Sequence, residues 1–356
     1  MSDRGVMTKE CYFAAANGYS GFRSYFGEVF RSDEFAKIYV LKGGPGTGKS
    51  SFMKKAENLF FEKGYKTEAI FCSSDPYSLD GVIVSGENSR VAILDGTSPH
   101  ERDAVIPGAV DELINLGEFW DARWLSSERD KIIELNREKS AAYKTAYSYL
   151  GIAGSIKNKQ EKLISRHIDR ASLNSLKEKL LTELREQPIG KMRRRLISSF
   201  GKYGNYRLDT VECCSDKHFS VVGDEEVTRE FLTLLSAELS ACGVAHTVLP
   251  SALDERSLDG IMLDEPRISV MNGGDGEIID LTSSAESAAP IDQERVRLSG
   301  ELYNEALAEA QRWFSIASDI HFRLEDIYKR CMNFEEIDRI FKKKCEEIDN
   351  ILISRA

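Results

Sequence analysis

The sequence lacks the patterns that would mark an exported or membrane-spanning protein. It has no run approaching the roughly 18 apolar residues of a membrane-spanning helix. Its first residues lack the basic-then-apolar order of a signal peptide. Seven cysteines are present, an odd number, and no two are spaced as Cys-x-x-Cys. We therefore expect reduced thiols in a cytoplasmic protein, rather than disulfides or a zinc site.

The sequence also lacks an excess of positive charge. The net charge is −10, which disfavours the whole chain as a binder of polyanions. The basic residues concentrate in 154–210, which holds 14 Lys or Arg against 6 Asp or Glu. Aromatic residues do not alternate with these charges as a base-stacking surface requires. A solvated face that meets the acidic second half is favoured there, and nucleic acid, although unlikely as a partner, is left open.

One glycine-rich segment carries the strongest functional signal. Residues 43–50 read GGPGTGKS and fit the pattern GxxxxGK[ST]. Residues 38–41 before them predict a short buried strand, and the apolar spacing over 51–61 predicts a helix. The motif therefore lies at a strand-to-helix turn, the context in which such loops bind phosphate.

Glycines allow backbone N–H groups to converge on phosphate oxygens, and the helix N-terminus adds its positive dipole end. The side chain of Lys49 would reach the β- and γ-phosphates, and the hydroxyl of Ser50 would hold Mg²⁺. We therefore predict a Mg²⁺-nucleoside triphosphate site, with ATP as the expected nucleotide. Its predicted binding residues are Gly43, Gly44, Pro45, Gly46, Thr47, Gly48, Lys49, Ser50 and Ser51.

A second strand, predicted over 91–94, ends in Asp95. A carboxylate at a strand tip beside the phosphate loop can order Mg²⁺, so Asp95 joins Ser50 as a predicted metal residue. Many ATPases have a Glu after this Asp, but Gly96 and Thr97 follow here. The candidates for orienting the attacking water are therefore His100 and Glu101, with a surface histidine as an equal alternative.

Polar residues also follow the strand predicted over 67–72. Ser73, Ser74 and Asp75 would face the ligand crevice at this edge of the sheet, although ordinary turn chemistry explains them at least as well. Arg23, in the segment before the first strand, would lie near phosphate if that segment covered the nucleotide. A plain N-terminal turn is an equal alternative.

Segments of the first half recur in the second half in the same order, with matching apolar positions. The pairs are 37–44 with 217–224, 60–75 with 239–254, 78–84 with 257–263, 90–97 with 267–274, and 149–156 with 313–320. This order indicates an internal duplication.

The second copy has lost the phosphate loop. Asp224, Glu225 and Glu226 stand where N–H groups would meet phosphate, and Asn272 stands in place of Asp95. Three carboxylates at that position would repel a triphosphate. The second half is therefore predicted to be a pseudo-domain that braces the first half, regulates it or supplies a residue to it.

The predicted fold is α/β, with two tandem P-loop NTPase-like domains built on parallel sheets. The first domain covers 1–190, with a helical hairpin over about 118–187, and the second covers 191–356, with a hairpin over about 292–356. The break follows Pro188-Ile-Gly190. The hairpins are predicted to project from each core, where they offer surfaces for a protein partner.

The chain resembles a family of uncharacterised, duplicated bacterial P-loop ATPases. The matching segments are YFAAANGYSGF, LKGGPGTGKSSFMKK, CSSDPYSLDGVIV, AILDGTSPH and PGAVDELINLGEFWD, and the resemblance extends over nearly the whole chain. In that family the second half often keeps its own glycine-rich loop, which this chain lacks. The resemblance implies ATP binding, leaves hydrolysis open and implies no substrate.

Three functions fit the sequence. The first is a Mg²⁺-dependent ATPase that works as a switch or small motor, with Lys49 neutralising charge on the γ-phosphate. The second is a kinase for a small molecule or nucleotide, in which a bound hydroxyl replaces water. The third is a nucleotide-gated interaction module without hydrolysis.

Overall fold

The computed structural model describes residues 9–164, 168–184, 188–284 and 290–354, which form two six-stranded mixed sheets with flanking helices. The strands of the first half are β1 (Glu10–Phe13), β2 (Ala15–Gly18), β3 (Gly21–Ser24), β4 (Lys37–Lys42), β5 (Lys66–Phe71), β6 (Leu79–Ser85), β7 (Arg90–Asp95) and β8 (Asp111–Asn115). Those of the second half are β9 (Met192–Arg194), β10 (Ser198–Gly201), β11 (Gly204–Arg207), β12 (Lys217–Val222), β13 (His246–Pro250), β14 (Leu258–Asp264), β15 (Arg267–Asn272) and β16 (Glu277–Asp280).

The helices are α1 (Phe26–Val29), α2 (Lys49–Glu62), α3 (Ala122–Ser127), α4 (Arg129–Ile164), α5 (Arg170–Leu184), α6 (Thr210–Cys214), α7 (Glu225–Ala241), α8 (Pro290–Lys329) and α9 (Phe334–Ser354). Short 3₁₀ helices cover Ser32–Glu34, Leu116–Phe119 and Thr282–Ser284. The strands predicted over 38–41, 67–72 and 91–94 and the helix predicted over 51–61 are confirmed as β4, β5, β7 and α2.

The first sheet has the strand order β1-β5-β6-β7-β4-β8. Strands β1, β5, β7, β4 and β8 run in one direction, and β6 runs against them. The prediction of a wholly parallel sheet is therefore wrong. Only residues 72–78 and 86–89 connect β6 to its neighbours, and parallel strands need longer crossover connections than these.

The second sheet repeats the first, strand for strand. Its order is β16-β12-β15-β14-β13-β9, and only β14 is reversed, as β6 is in the first sheet. Each repeated sequence segment over 37–44, 78–84 and 90–97 falls on the corresponding strand. The shared topology is what an internal duplication predicts.

The long helices α4 and α8 pack along each other in opposite directions. Leu135 of α4 clusters with Leu324 of α8, and Ala146 with Phe314. Farther along α4, Gln160 Nε2 donates a hydrogen bond to the Val296 carbonyl of α8. The sequence predicts two separate hairpins that project from each core. In the structure, α4 of the first half and α8 of the second half instead form one antiparallel pair. Residues 165–167, 185–187 and 355–356 of the predicted hairpins lie outside the described residues.

The helices that follow this pair are exchanged between the sheets. Helix α9, from the second half, packs with α2 on the first sheet and buries its apolar face, Ile337, Cys345, Ile348 and Leu352. Helix α5, from the first half, packs with α7 on the second sheet through Leu173, Leu180, Leu181 and Leu184. Each half therefore covers an apolar face of the other half's sheet.

The inner faces of the two sheets share one hydrophobic cluster. Ile38, Ile70 and Ile83 of the first sheet belong to the same buried cluster as Leu249 and Met262 of the second. At the junction, backbone hydrogen bonds join Phe13 and Leu196 in both directions. The two predicted domains are thus joined through a common core.

Candidate functional site

The glycine-rich loop of residues 43–48 connects β4 to α2, and its conformation depends on glycine. Gly46 and Gly48 have φ angles of 72° and 88°, in the left-handed region that other residues rarely adopt. No side chain caps the start of α2. The backbone N–H groups from Gly48 to Ser51 also donate to no acceptor among the described residues. The loop therefore presents four uncapped amides and the positive end of the α2 dipole at one point.

The side chain of Lys49 folds over this loop. Its Nζ donates hydrogen bonds of 2.8 and 2.9 Å to the carbonyls of Gly43 and Gly44, and it lies 3.7 Å from Oδ2 of Asp95. The pairing of Leu41 with Asp95 in adjacent parallel strands brings this carboxylate to the loop. The structure therefore brings together the lysine and the carboxylate that the sequence predicts to act jointly.

The predicted metal residues have the chemistry that Mg²⁺ prefers. Oδ1 of Asp95 accepts hydrogen bonds from the amide and hydroxyl of Thr97, which fixes the orientation of the carboxylate. The hydroxyl oxygen of Ser50 accepts a hydrogen bond from the Leu79 amide. A hydroxyl and a carboxylate beside a triphosphate are hard oxygen ligands, and Mg²⁺ is bound in proteins by such a partial set completed by water. The residues present therefore fit this ion.

His100 and Glu101 have different environments. His100 is buried, and its Nε2 lies 3.2 Å from Oδ2 of Asp80. Its ring stacks on Phe26 with centroids 4.5 Å apart. Burial alone lowers the pKa of His100, but the carboxylate of Asp80 outweighs burial, and the pKa is raised above its ordinary value. Glu101 is exposed.

The residues after β5 meet the second half. A Cβ added at Gly201, in the β10–β11 hairpin, would lie 3.3 Å from the carbonyls of Ser73 and Ser74. Asp75 lies 3.6 Å from Nζ of Lys202 in the same hairpin. Ser73 is buried, and its hydroxyl has no hydrogen-bond partner in the described part of the chain. This edge of the first sheet is therefore in contact with the second half.

The hydrogen bonds and the ion pair of Arg23 are made with the second half. Its guanidinium donates to the carbonyls of Ser251 and Ala252 at 3.0 and 2.6 Å and pairs with Glu255. These partners all belong to the second half, so Arg23 joins the two halves instead of contacting phosphate.

The end of α8 packs directly against the glycines of the loop. A Cβ at Gly44 would lie 2.9 Å from Cε1 of Tyr328, and one at Gly46 would lie 2.5 Å from the carbonyl of Glu325. Nothing in the sequence pattern indicates this contact. The internal repeat aligns α8 with α4, but it does not indicate which elements either helix packs against.

The corresponding place in the second half is filled by ion pairs. Glu226, at the start of α7, pairs with Arg229, which also lies 3.2 Å from Glu161 of α4. Glu225 pairs with Lys157. Burial raises the pKa of Glu226 to about 7. The carboxylates that replace the phosphate loop are thus engaged with the chain's own cations, and Asn272 stands exposed at the end of β15.

Comparisons of this chain with protein families, with curated proteins and with solved structures gave no match.

The arginines of the basic segment are paired with acidic residues. Arg193 pairs with Asp264, Arg194 with Glu28 and Arg195 with Glu68. Asp264 lies in the second half, but Glu28 and Glu68 lie in the first, so only part of this face meets the acidic second half as the sequence predicts.

None of the helices in the described part of the chain is long and apolar enough to cross a membrane. In the same residues there is no group of three or more His, Cys, Asp or Glu side chains arranged to hold a metal ion. A metal at Asp95 would therefore depend on the nucleotide for further ligands.

Proposed function

We propose that this protein binds Mg²⁺-ATP at residues 43–51 and hydrolyses it, and that α8 transmits the change to the second half. The observation that carries the proposal is the position of Lys49. It lies beside the uncapped start of α2 and 3.7 Å from Asp95 at the tip of the neighbouring strand. An uncapped helix N-terminus, a lysine and a strand-end carboxylate together form the usual elements of a triphosphate site.

The chain's own residues would divide the work between binding and charge stabilisation. The amides from Gly48 to Ser51 would donate to phosphate oxygens. Lys49 would exchange its bonds to the Gly43 and Gly44 carbonyls for bonds to phosphate, where it stabilises charge that develops during transfer. Ser50 and Asp95 would hold Mg²⁺, which supplies neutralisation of the phosphate charge when bound.

The contact between α8 and the loop supports a switch. Tyr328 and Glu325 lie against Gly44 and Gly46, so a change of loop conformation would act on the end of a 40-residue helix. Because α8 pairs with α4, the same change would reach both halves. This arrangement favours an ATPase whose loop conformation is coupled to the second half, over a hydrolase whose two halves act independently.

Isothermal titration calorimetry with Mg²⁺-ATP, together with phosphate release, tests the proposal. We expect Lys49→Ala to weaken ATP binding about 10- to 100-fold, because hydrogen bonds from a charged group contribute about 1.5–3 kcal/mol. Lys55→Ala is the matched control, since Lys55 lies on the same helix and makes an exposed pair with Asp338.

The same assay separates the alternatives. Undetectable ATP binding by the wild-type protein, or unchanged binding by Lys49→Ala, would contradict the proposed site. Binding with no phosphate release would leave a nucleotide-gated module. ATP consumption that requires an added alcohol or nucleotide would indicate a kinase.

A further inference from the structure

Three buried polar atoms at the carboxyl edge of the first sheet have no hydrogen-bond partner among the residues that the structure describes. They are Oγ of Ser73, Oδ2 of Asp80 and Nδ1 of His100, in residues that are 2%, 5% and 7% exposed. Most buried polar atoms in folded proteins are hydrogen-bonded, because an unpaired one costs about 1–3 kcal/mol. Unpaired groups gathered at this one edge of the sheet therefore point to a polar ligand.

The reversed strand β6 brings Asp80 to this edge. Gly81 pairs with Leu94 in the antiparallel register of β6 and β7, so Asp80 lies beside the strand end that carries Asp95. The preceding residue, Leu79, donates its amide hydrogen to the Ser50 hydroxyl oxygen. Asp80 is therefore held close to both predicted metal residues, Ser50 and Asp95, although its strand β6 is not the strand that leads into the glycine-rich loop.

The Asp80 carboxylate fixes the state of the His100 ring. Nε2 of His100 lies 3.2 Å from Oδ2 of Asp80, so the proton of the neutral ring is favoured on Nε2 and the lone pair on Nδ1. The stacked ring of Phe26 holds the imidazole in one orientation, and Phe22 lies 5.7 Å away on centroids. A histidine oriented by a carboxylate, with its other nitrogen free, is the arrangement of a general base.

We propose that His100 is the general base for the water that attacks the γ-phosphate, and that Asp80 is the residue that positions it. Nδ1 takes one proton of the water as the water oxygen bonds to phosphorus. The bond from phosphorus to the bridging oxygen breaks, and its electron pair leaves with ADP. This inference rests on the proposed ATP hydrolysis and adds the residues that activate the nucleophile.

The charges around His100 determine the expected pH dependence. After burial, which lowers its pKa, Asp80 raises it most, Asp95 also raises it and Lys49 lowers it. Cys72 and Tyr143 lie near Asp80, but burial raises the pKa of both, so they stay neutral. Because the pKa of His100 lies above 6.5, its neutral, basic form is lost as the pH falls through that raised value.

The experiment measures phosphate release at saturating Mg²⁺-ATP as a function of pH, with ATP affinity measured separately. We expect wild-type turnover to fall on the acid side with a midpoint above pH 6.5. Asp80→Asn should bind ATP within about twofold of wild type, lose tenfold or more in turnover and move the acid midpoint to lower pH. His100→Gln should lose about 100-fold in turnover, the lower range of general-base catalysis, and lose the acid limb.

Asp259→Asn is the matched control, because the repeat aligns Asp259 with Asp80. Asp259 is half-buried, with a pKa that desolvation raises to about 6, and it accepts a hydrogen bond from Ser198. This variant should keep wild-type turnover and pH profile.

Unchanged turnover and an unchanged acid midpoint in both Asp80→Asn and His100→Gln would overturn the inference while leaving ATP hydrolysis intact. If Asp80→Asn does not fold, the turnover and pH profile of His100→Gln alone decide whether the inference holds. If the wild-type protein releases no phosphate from ATP, the proposed hydrolysis and this inference both fail.

Discussion

Glu68 offers a test of how the two halves are joined. It lies on β5 of the first sheet, and its Oε2 accepts hydrogen bonds of 3.1 and 3.0 Å from Arg195 of the second half. Its Oε1 accepts a further bond from Arg90. Burial by itself raises the pKa of Glu68, but Arg195 and Arg90 outweigh burial and lower the pKa from 4.5 to about 2. The folded protein therefore favours the charged carboxylate strongly.

The size of the effect follows from this pKa. Lowering the folded-state pKa from 4.5 to about 2 stabilises the folded state by about 3 kcal/mol at neutral pH. The stabilisation is present above the unfolded pKa and is lost as pH falls, with about 2 kcal/mol gone by pH 3. Glu68→Gln removes it and also leaves the buried Arg195 without its partner. We therefore expect a loss of about 3–5 kcal/mol at pH 7.

Urea unfolding at pH 7 and pH 3 measures both parts of this prediction. The wild type should lose stability between the two pH values, and Glu68→Gln should lose about 2 kcal/mol less over the same interval. Glu294→Gln, which removes an exposed pair with Arg297 on α8, is the control and should change neither value measurably. A Glu68→Gln protein within 1 kcal/mol of wild type at pH 7, with an unchanged dependence on pH, would refute the reasoning.

Two further substitutions test the contacts of α8. Gly46→Ala should lower both ATP affinity and the thermal midpoint, because φ of 72° costs another residue about 1–2 kcal/mol and the new Cβ would lie 2.5 Å from the Glu325 carbonyl. Unchanged calorimetric titrations and melting curves would contradict that contact. Ala310→Leu should cost about 1–3 kcal/mol by overpacking the α4–α8 interface, measured by urea unfolding. The exposed Ala308→Leu should be tolerated, and equal effects of the two would argue against the interface.

The place and conformation of the glycine-rich loop were predictable because their determinants are local. A short apolar run before 43–50 and helical spacing after it specify β4 and α2 without help from the rest of the chain. The left-handed φ angles at Gly46 and Gly48 explain why glycine stands there. The position of Asp95 also follows from local sequence, since a strand that ends beside β4 brings its last residue to the loop.

The exchange of α5 and α9 was not predictable, because apolar spacing specifies a buried face but not the surface that covers it. Both sheets offer similar apolar faces, as expected for a duplicated chain. The pairing of His100 with Asp80 was also not predictable, because it depends on the direction of β6 in the assembled sheet. The reversal of β6 depends on short connections whose effect on sheet order appears only when the strands are assembled.

The exchange also shows how the second half, which lacks the glycine-rich loop, contributes to the stability of the first. Helix α9 buries Ile337, Ile348 and Leu352 against α2 and the first sheet. Burial of each such side chain contributes about 1.5–3 kcal/mol, so these three alone are comparable with the net stability of a whole domain. Asp224 and Glu225, which stand where the first half has its glycine-rich loop, take no part in that packing. The first half therefore depends on the second half to stay folded, whatever residues occupy that loop.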